Sequence, residues 1–430
     1  DNNYRERLTT EAIELTGLNN PNSAAQLKNW IGTETGAEVE KLTKESVPEL
    51  LAQTDSETVQ RVLNIRQEMA KTSVTKYKAM VKAVCSDNRV KGLLQFYGAN
   101  RTGRWAGRLV QVQNLPRNEL SDIDVARDLV KHNMSEVLEM CFGNVPDTLS
   151  QLIRTAFIAP AGSRFIPADF SAIEARVIAW LAGEQWRLQV FATHGKIYEA
   201  SAAQMFKVPI ESVTKGSPLR QKGKVAELAL GYQGGPNALV KMGALKQGLT
   251  EEELPKLVKM WRNANKAIVQ YWDYIGNAAL DTVGSGESRT LTHNIRMSVE
   301  RGVFFIQLPS GRKLAYVRPK LVDGKYGPVL TYEGMDQTSK QWKTLETYGG
   351  KLVENIVQAV ARDCLAEALL RVDAAGYKVV MHVHDEIVCE MPYGSGSMEE
   401  LNSIMGQPIP WAKGLLLKAD SYETEYYKKD

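Results

Sequence analysis

The sequence predicts an α+β protein built from several lobes, and three observations lead to this prediction. The chain has 430 residues, which is more than one ordinary domain contains. Apolar residues recur at helical spacing in residues 1–85 and about 198–280. Two other segments, RFIPADF and VVMHVHDEIVCE, are rich in the apolar and β-branched residues typical of strands. Helices followed by mixed helices and strands favour the α+β class.

Local signals predict the elements in chain order. Ser23 is a predicted N-cap, and residues 55–57 are interpreted as the start of another helix. The glycine-rich segment TGRWAGRLVQVQNLP predicts loops with one short extended run, and RFIPADF predicts a strand before a helix in SAIEARVIAWLAG. The glycines and proline of GYQGGPN must interrupt the helical region 198–280. We then expect a hairpin around residues 309–311, a long helix that ends at Gly376, and a strand–turn–strand unit in VVMHVHDEIVCE.

Composition excludes several classes of protein. Apolar residues make up 43% of the chain and charged residues 24%, which is typical of globular proteins rather than disordered or fibrous ones. The chain has no uncharged apolar stretch of about 18 residues, so a transmembrane helix is not expected. The four cysteines lack zinc-site spacing, which argues against a disulfide scaffold or structural zinc and favours a reducing cytoplasm. The first residues lack a secretory signal and an initiator Met, so we expect a processed piece or a fragment.

Positive charge is concentrated in two stretches of this nearly neutral chain. Residues 61–108 contain eleven basic residues against Glu68 and Asp87, a net charge of +9. Residues 207–224 carry a net charge of +4. Such a local excess indicates a surface that follows phosphates, although a solvated helix face would give the same pattern. The basic residues of the first stretch are Arg61, Arg66, Lys71, Lys76, Lys78, Lys82, Arg89, Lys91, Arg101, Arg104 and Arg108.

Acidic residues stand where local structure gains nothing from them. Asp169 ends an apolar strand, and Asp385-Glu386 lie at the predicted tip of a hairpin. If these strands share a sheet, the carboxylates converge, and converging carboxylates suit two Mg²⁺ ions about 3.5–4 Å apart. The alternative is that Asp169 is a turn residue and that the histidines beside Asp385 hydrogen-bond to it. Glu174 has a local explanation of its own, because Ser171 and Glu174 fit a capping box at a helix start.

The segment RQKGKVAELALGYQGG predicts a helix with a binding face. Arg220, Lys224 and Leu228 recur every four residues and therefore share one side. A guanidinium and an ammonium on one face suit a triphosphate, and Tyr232 near the end of the helix offers a stacking surface for a base. An ordinary amphipathic surface helix would show the same spacing.

Three segments in this order resemble the polymerase domain of family A DNA polymerases, the bacterial DNA polymerase I type. DFSAIEARVIAWLAGE resembles the family motif DYSQIELR, RQKGKVAELALGYQGG resembles R-x3-K-x7-Y-G, and VHDEIVCE resembles VHDE followed by apolar residues. Weaker matches are TGRWAGRLVQVQNLP, IRTAFIAP, QAVARD and NPNSAAQL. The pattern is closer to phage or prophage replicative enzymes than to the repair-type bacterial enzyme.

The resemblance implies a right-hand polymerase fold with an antiparallel-sheet palm, helical fingers and a helical thumb. We therefore expect an N-terminal segment and thumb in residues 1–103 and a first palm part in 104–200. The fingers would be 201–350, and the second palm part 351–430. About thirty residues of the first palm part, 118–149, appear as an insertion of unassigned function.

The resemblance also implies roles for individual residues. Asp169, Asp385 and the backbone at Phe170 would bind two Mg²⁺ ions, for which Mn²⁺ is a possible substitute, and Glu386 would support this catalytic site. Glu174 would crowd the sugar 2′ position. The other expected dNTP contacts are Ser171, Arg220, Lys224, Leu228 and Tyr232. The expected contacts to the primer terminus or the duplex minor groove are Arg104, Gln113, Asn114, Gln358 and His384.

Departures from the family pattern limit some of these expectations. Leu228 stands where the family usually has Phe or Tyr, so dideoxynucleotide discrimination does not follow. Ala172 replaces a usual Gln, and Gln233 replaces the Gly after Tyr. A 3′–5′ exonuclease domain is not expected in this chain.

The leading hypothesis is DNA-directed DNA synthesis by a cytoplasmic monomer, in a bacterium or a phage-infected cell, that binds primer–template duplex and dNTPs. A single-subunit RNA polymerase is the first alternative, and Glu174 together with the His-Asp-Glu triplet argues against it. A non-catalytic nucleic-acid-binding protein on a decayed polymerase fold is the second alternative.

Overall fold

The computed structural model describes residues 2–43, 46–70, 73–325 and 327–429. Within these ranges it contains helices and antiparallel sheets, which confirms the predicted α+β class. Lys71, one of the basic residues counted above, lies outside the described residues. None of the described helices is both long enough and apolar enough to span a membrane.

The helices are α1 (Asn2–Thr16), α2 (Ala24–Thr35), α3 (Ser46–Gln53), α4 (Glu57–Met69), α5 (Thr75–Ala83), α6 (Ile123–Lys131), α7 (Ser135–Phe142), α8 (Val145–Gln151), α9 (Ile173–Ala182), α10 (Gln185–Ala192), α11 (Ile197–Phe206), α12 (Pro218–Leu230), α13 (Pro236–Lys241), α14 (Glu253–Ala264), α15 (Lys266–Ser285), α16 (Gly349–Ala374) and α17 (Met398–Met405). The strands are β1 (Leu94–Ala99), β2 (Arg104–Gly107), β3 (Ser163–Phe170), β4 (Arg289–Thr290), β5 (Arg296–Glu300), β6 (Val303–Gln307), β7 (Lys313–Gly324), β8 (Gly327–Met335), β9 (Trp342–Thr347), β10 (Val379–Val383), β11 (Glu386–Pro392) and β12 (Ala419–Ser421).

Contacts divide the chain into two compact units. Unit 1 consists of Asp1–Leu94, Gly107–Phe165 and Thr424–Asp430. Unit 2 consists of Gln95–Ala106 and Ile166–Glu423. The predicted thumb, palm and fingers have other boundaries than these two units, because they come from the family resemblance, and they stay a prediction.

Unit 1 is helical, as predicted for its first residues. The side chain of Ser23 caps α2, and residues 55–57 do begin a helix, with Ser56 as the N-cap of α4. The helices of the 118–149 insertion, α6 to α8, pack their apolar residues onto α1 and α4 in one buried cluster. The insertion is therefore part of the core of unit 1. The fully buried members of this cluster include Leu8, Ile65, Ala126, Leu138 and Val145.

The two ends of the insertion are tied together. The side-chain amide of Asn118 donates to the carbonyl oxygen of Gln151 at 2.5 Å. Beyond the insertion, Arg154 of the IRTAFIAP segment is 4% exposed. Its guanidinium donates to the carbonyl oxygens of Leu115 and Pro116 at 2.6 and 2.7 Å. The sequence segments on either side of the insertion are thus adjacent in space.

Unit 2 contains the four-stranded antiparallel sheet that positions the candidate site. Its strand order is β10-β11-β3-β12. The predicted strand–helix unit is confirmed as β3 and α9, and the predicted strand–turn–strand unit as β10 and β11. The predicted long helix is α16, whose apolar side chains lie in the largest buried cluster.

The last part of the segment predicted as fingers is a second sheet. Residues 289–347 contain strands β4 to β9, which pair in sequence order into six antiparallel strands. The hairpin predicted around residues 309–311 is confirmed, with Gln307 opposite Lys313. The remaining pairings lack an equally clear signal, because β4 has only two residues and the β7–β8 register shifts between Val317 and Lys320.

Candidate functional site

The strand ends that carry Asp169 and Asp385 meet at one edge of the four-stranded sheet. Asp169 is the penultimate residue of β3. Asp385 lies in the turn between β10 and β11, and β11 pairs with β3 in the sheet. The backbone N–H of Phe170 donates to the carbonyl oxygen of Asp385 at 3.2 Å. The predicted convergence of these two strand ends is confirmed.

The turn between β10 and β11 exposes one neighbour of Asp385 and buries the other. His384 is exposed and has a left-handed backbone, with φ 56°. Glu386 is the first residue of β11, opposite Val383, and is 2% exposed. Asp385 between them is half-buried, as is Asp169. Both aspartates therefore remain accessible from solvent.

Strand β12 adds a carboxylate that the sequence analysis missed. Asp420 is the register partner of Asp169, so the two side chains lie on the same face of the sheet. The Asp420 carboxylate lies 3.4 Å from the Lys418 ammonium. No local motif marks Asp420, because its place beside Asp169 depends on pairing with a strand far away in sequence.

The donor set at this edge fits a hard divalent cation that also binds substrate. Within the described ranges, no group of three or more His, Cys, Asp and Glu side chains is arranged to hold a metal ion. The carboxylates of Asp169 and Asp385 belong to adjoining strand ends, whereas the Asp420 carboxylate is paired with Lys418. Mg²⁺ is usually bound in this way, by one or two carboxylates together with substrate phosphates and water.

The capping box predicted for Glu174 is wrong. The residue before α9 is Ala172, which has a left-handed backbone with φ 52° and makes no side-chain cap. Ser171 does not cap the helix; its backbone N–H donates to the carbonyl oxygen of Lys418 at 2.8 Å. The Glu174 carboxylate accepts instead from the Tyr232 hydroxyl at 2.7 Å and from the Arg104 guanidinium.

Charge and burial at this carboxylate shift the pKa values of its partners. Burial lowers the pKa of Arg104, but the charges of Glu174 and Asp385, the hydrogen bond to Glu174 and the nearby Tyr232 together outweigh burial and raise the pKa above its usual value. Burial, followed by the Glu174 charge, raises the pKa of Tyr232 well above its usual value. Arg104 therefore stays charged, and Tyr232 keeps the proton that it donates to Glu174.

Helix α12 carries the predicted triphosphate contacts. It begins after Ser217, whose side chain accepts from the Arg220 N–H, and has proline at its first position. Arg220 and Leu228 share a face of the helix with Lys224, and Leu228 is 50% exposed. Within the described part of the chain, Lys224 has no hydrogen-bond or ion-pair partner. An unneutralised ammonium on this face is available to a phosphate.

The structure accounts for Gln233, which departs from the family pattern. Gln233 has a left-handed backbone with φ 64°, the conformation that a glycine after Tyr232 would adopt easily. Its side-chain oxygen accepts from the backbone N–H of Gly350 at 3.0 Å, in the first turn of α16. A Cβ at Gly350 would overlap the side chain of Gln233. Gln233 and Gly350 therefore fit each other and connect the end of the Tyr232 segment to α16.

The predicted DNA contacts are distributed over both units. Arg104, Gln358 and His384 belong to unit 2, and Gln113 and Asn114 belong to unit 1. Gln358 donates to Glu354 at 3.4 Å on α16. Their contacts to DNA stay a prediction.

Several basic residues of the +9 stretch form ion pairs with acids inside or outside it. Arg61 forms an ion pair with Glu11 at 2.6 Å, and Lys91 forms one with Asp87 at 2.6 Å. In contrast, Lys78 and Lys82 on α5 are exposed and have no partner among the residues that the structure describes. These two lysines are the clearest candidates for phosphate contacts.

Comparisons with known proteins agree with the motifs. The sequence model of DNA polymerase family A matches residues 2–413. The DNA polymerase of Bacillus phage SP02 is 62% identical over 432 residues, covering 100% of this chain and 66% of the phage protein. The thermostable DNA polymerase I of Thermus aquaticus is 26% identical over 257 residues, covering 58% of this chain and 25% of that protein. This chain thus spans just under two thirds of the first relative and a quarter of the second.

A solved structure shows the same fold. The POL domain of Pol1 from M. smegmatis, in complex with DNA primer-template and dNTP, superposes with a TM-score of 0.63 at 19% identity. The match covers 98% of this chain and 64% of that chain. The fold is therefore that of a DNA polymerase I polymerase domain, as predicted. Because the family's sequence model also extends over residues 2–413, this chain belongs to DNA polymerase family A.

Proposed function

We propose that this chain is a DNA-directed DNA polymerase that adds dNTPs to the 3′-hydroxyl of a primer. The observation that carries the proposal is the meeting of Asp169 and Asp385 at one edge of the sheet, where Phe170 hydrogen-bonds to Asp385. Family membership and the names of the relatives support the same reaction. In that reaction the primer 3′-hydroxyl loses its proton to solvent, its oxygen bonds to the α-phosphorus of the dNTP, and the bond from that phosphorus to the leaving pyrophosphate breaks.

Each residue of the site has a proposed part in holding the reactants. Arg220 and Lys224 bind the triphosphate of the incoming dNTP and offset its negative charge. Tyr232 stacks near the nascent base pair, and Ser171 and Leu228 lie against the nucleotide. Glu174 occupies the space that a ribose 2′-hydroxyl would need.

The carboxylates of Asp169 and Asp385 and the backbone at Phe170 would hold two Mg²⁺ ions, with Mn²⁺ as a substitute. When bound, these ions would supply activation of the primer hydroxyl and neutralisation of the leaving phosphate. Glu386 supports this position from the buried side of the turn. Arg104, Gln113, Asn114, Gln358 and His384 contact the primer–template, and we propose that the protein acts as a monomer in the cytoplasm.

A primer-extension assay tests the proposal. The wild-type protein should extend a primer on a DNA template with dNTPs and Mg²⁺, and removal of Mg²⁺ should stop extension. Asp169→Ala and Asp385→Ala should each lower the extension rate by at least about 10³-fold, because each removes an oxygen ligand of the metal site.

Binding and unfolding measurements serve as controls for these variants. The affinity of each variant for primer–template should stay close to that of the wild type, because that affinity depends mainly on phosphate contacts elsewhere. Extension at the wild-type rate by either variant would refute the roles of Asp169 and Asp385. A wild-type protein that binds primer–template but never extends it would favour the decayed, non-catalytic alternative.

A further inference from the structure

The Arg220 side chain is held by a second helix, α11. Its Nε donates to Oε1 of Glu199 at 2.6 Å. Its guanidinium also lies over the ring of Tyr198, with the carbon 5.6 Å from the ring centroid. Both partners are in the first turn of α11, and neither belongs to the motifs that predicted the site.

The contact with Glu199 occupies only one edge of the guanidinium. A guanidinium has a planar fork of donors, and a carboxylate at Nε leaves the two terminal amino groups for another anion. Within the described ranges, these terminal groups of Arg220 make no hydrogen bond. Glu199 thus fixes the direction of the side chain without using the donors best suited to a phosphate.

Close packing of α11 and α12 makes this contact possible. A Cβ added at Gly223 of α12 would lie 2.5 Å from the carbonyl oxygen of Tyr198 and 3.0 Å from the Cβ of Ala202. Only glycine permits this approach, which aligns Glu199 with Arg220. Farther along the two helices, the Ser201 hydroxyl donates to Glu227 of α12 at 2.6 Å.

The Glu199 carboxylate is mostly withdrawn from solvent, with 15% of its side chain exposed. Burial raises its pKa, but the hydrogen bonds from Arg220 and from the Glu199 backbone, together with the charges of Arg220 and Lys196, outweigh burial and lower the pKa below its usual value. A negatively charged glutamate in the first turn of a helix also interacts favourably with the helix dipole. The dipole alone does not explain a partly buried ion pair with a residue of another helix.

We propose that Glu199 is a positioning residue that orients Arg220 so that its terminal amino groups face the triphosphate of the incoming nucleotide. The inference rests on the proposed function and adds a residue from α11 to its nucleotide site. The negative charge of Glu199 also offsets the positive charge of Arg220, and this competing effect would weaken the binding of the triphosphate. We infer that the orienting effect of Glu199 exceeds this loss of charge, because its carboxylate accepts from Nε and leaves the two terminal amino groups of Arg220 available.

Equilibrium binding of dNTP to the protein on a primer–template tests the inference without any chemical step. A primer that ends in a dideoxynucleotide prevents extension, and Kd is measured for the next correct dNTP with Mg²⁺. Glu199→Ala should raise Kd about tenfold, and Glu199→Gln should keep it within about threefold because the amide oxygen still accepts from Nε. Glu199→Asp, which keeps the charge but shortens the reach, should also raise Kd.

Two controls separate positioning from a structural effect. In an Arg220→Ala background, Glu199→Ala should change Kd no further, because its effect passes through Arg220. Glu253→Ala removes a similar partner of α12, the one that pairs with Lys222 at 3.0 Å, and should leave Kd unchanged.

Several results would overturn the inference. Binding by Glu199→Ala and Glu199→Asp that is as tight as wild type, or tighter, would show that Glu199 only competes with the triphosphate. A full effect of Glu199→Ala in the Arg220→Ala background would show that it acts independently of Arg220. A wild-type protein that binds dNTP but extends no primer would refute the proposed function alone, whereas absence of dNTP binding would refute both.

Discussion

Glu174 joins two side chains that lie far from it in sequence. Arg104 and Tyr232 both donate to its carboxylate, one from the hairpin at residues 95–106 and one from the segment after α12. The sequence suggested a local capping role because it does not reveal that Ala172 has a left-handed backbone. The family resemblance predicts site roles for Glu174, Arg104 and Tyr232, but only the fold shows that the three side chains contact one another.

Glu174 should control the choice of sugar. Glu174→Ala should lower the preference for dNTP over NTP by about tenfold or more, because it opens space for a 2′-hydroxyl. The measurement is the ratio of kcat/KM for matched dNTP and NTP. Glu174→Gln keeps the size of the side chain and should keep most of the preference. An unchanged ratio in Glu174→Ala would contradict this role, and a wild-type preference for NTPs would favour the RNA polymerase alternative.

Two glycines, Gly349 at the start of α16 and Gly276 of α15, allow these two helices to pack closely against each other. A Cβ on Gly349 would overlap the carbonyl oxygen of Trp272 and approach Gly276. Nearby, the indole N–H of Trp272 donates to the carbonyl oxygen of Gly231 at 3.0 Å. The sequence predicted the helix α16, which is confirmed, but it indicated no role for Gly276 and Gly349. Their packing role depends on α15, which approaches from about eighty residues earlier in the chain.

Gly349→Ala should destabilise the protein by about 1–3 kcal/mol, because the overlap is with backbone, which cannot rotate away. The measurement is the shift in the midpoint of urea unfolding. Gly231→Ala is the matched control, since its Cβ would lie 3.9 Å from the carbonyl oxygen of Glu227, which is an ordinary contact distance. Equal midpoints for Gly349→Ala and wild type would contradict the packing argument.

At the scale of the whole molecule, the two units contain different parts of the predicted machinery. The candidate metal, nucleotide and sugar contacts all lie in unit 2, and most of the +9 stretch lies in unit 1. Motifs predicted three strands of the four-stranded sheet, β3, β10 and β11, because these strands end in residues with recognisable chemistry, whereas β12 was not predicted. Apart from the hairpin of β6 and β7, the six-stranded sheet was not predicted, and neither was the packing of the insertion, because both depend on contacts without such residues.

The basic stretch should contribute to DNA affinity through charge. Replacing both Lys78 and Lys82 with Ala should make the slope of log K against log salt less negative by about 1–2, because each phosphate contact contributes about 0.9. The measurement is primer–template affinity across a salt series. Lys91→Ala is the control. Lys91 is already paired with Asp87 at 2.6 Å, so its replacement should change the slope less than the double replacement does. Equal slopes for the double variant and wild type would remove α5 from the DNA-binding surface.

Asp169 and Asp385 are proposed to bind divalent ions together, and anomalous diffraction from manganese can test this shared site. Crystals of the protein with primer–template, dNTP and Mn²⁺ should show two manganese peaks about 3.5–4 Å apart, at least one of them within about 2.5 Å of both carboxylates. Manganese peaks away from these two side chains, with the dNTP bound at α12, would contradict the account.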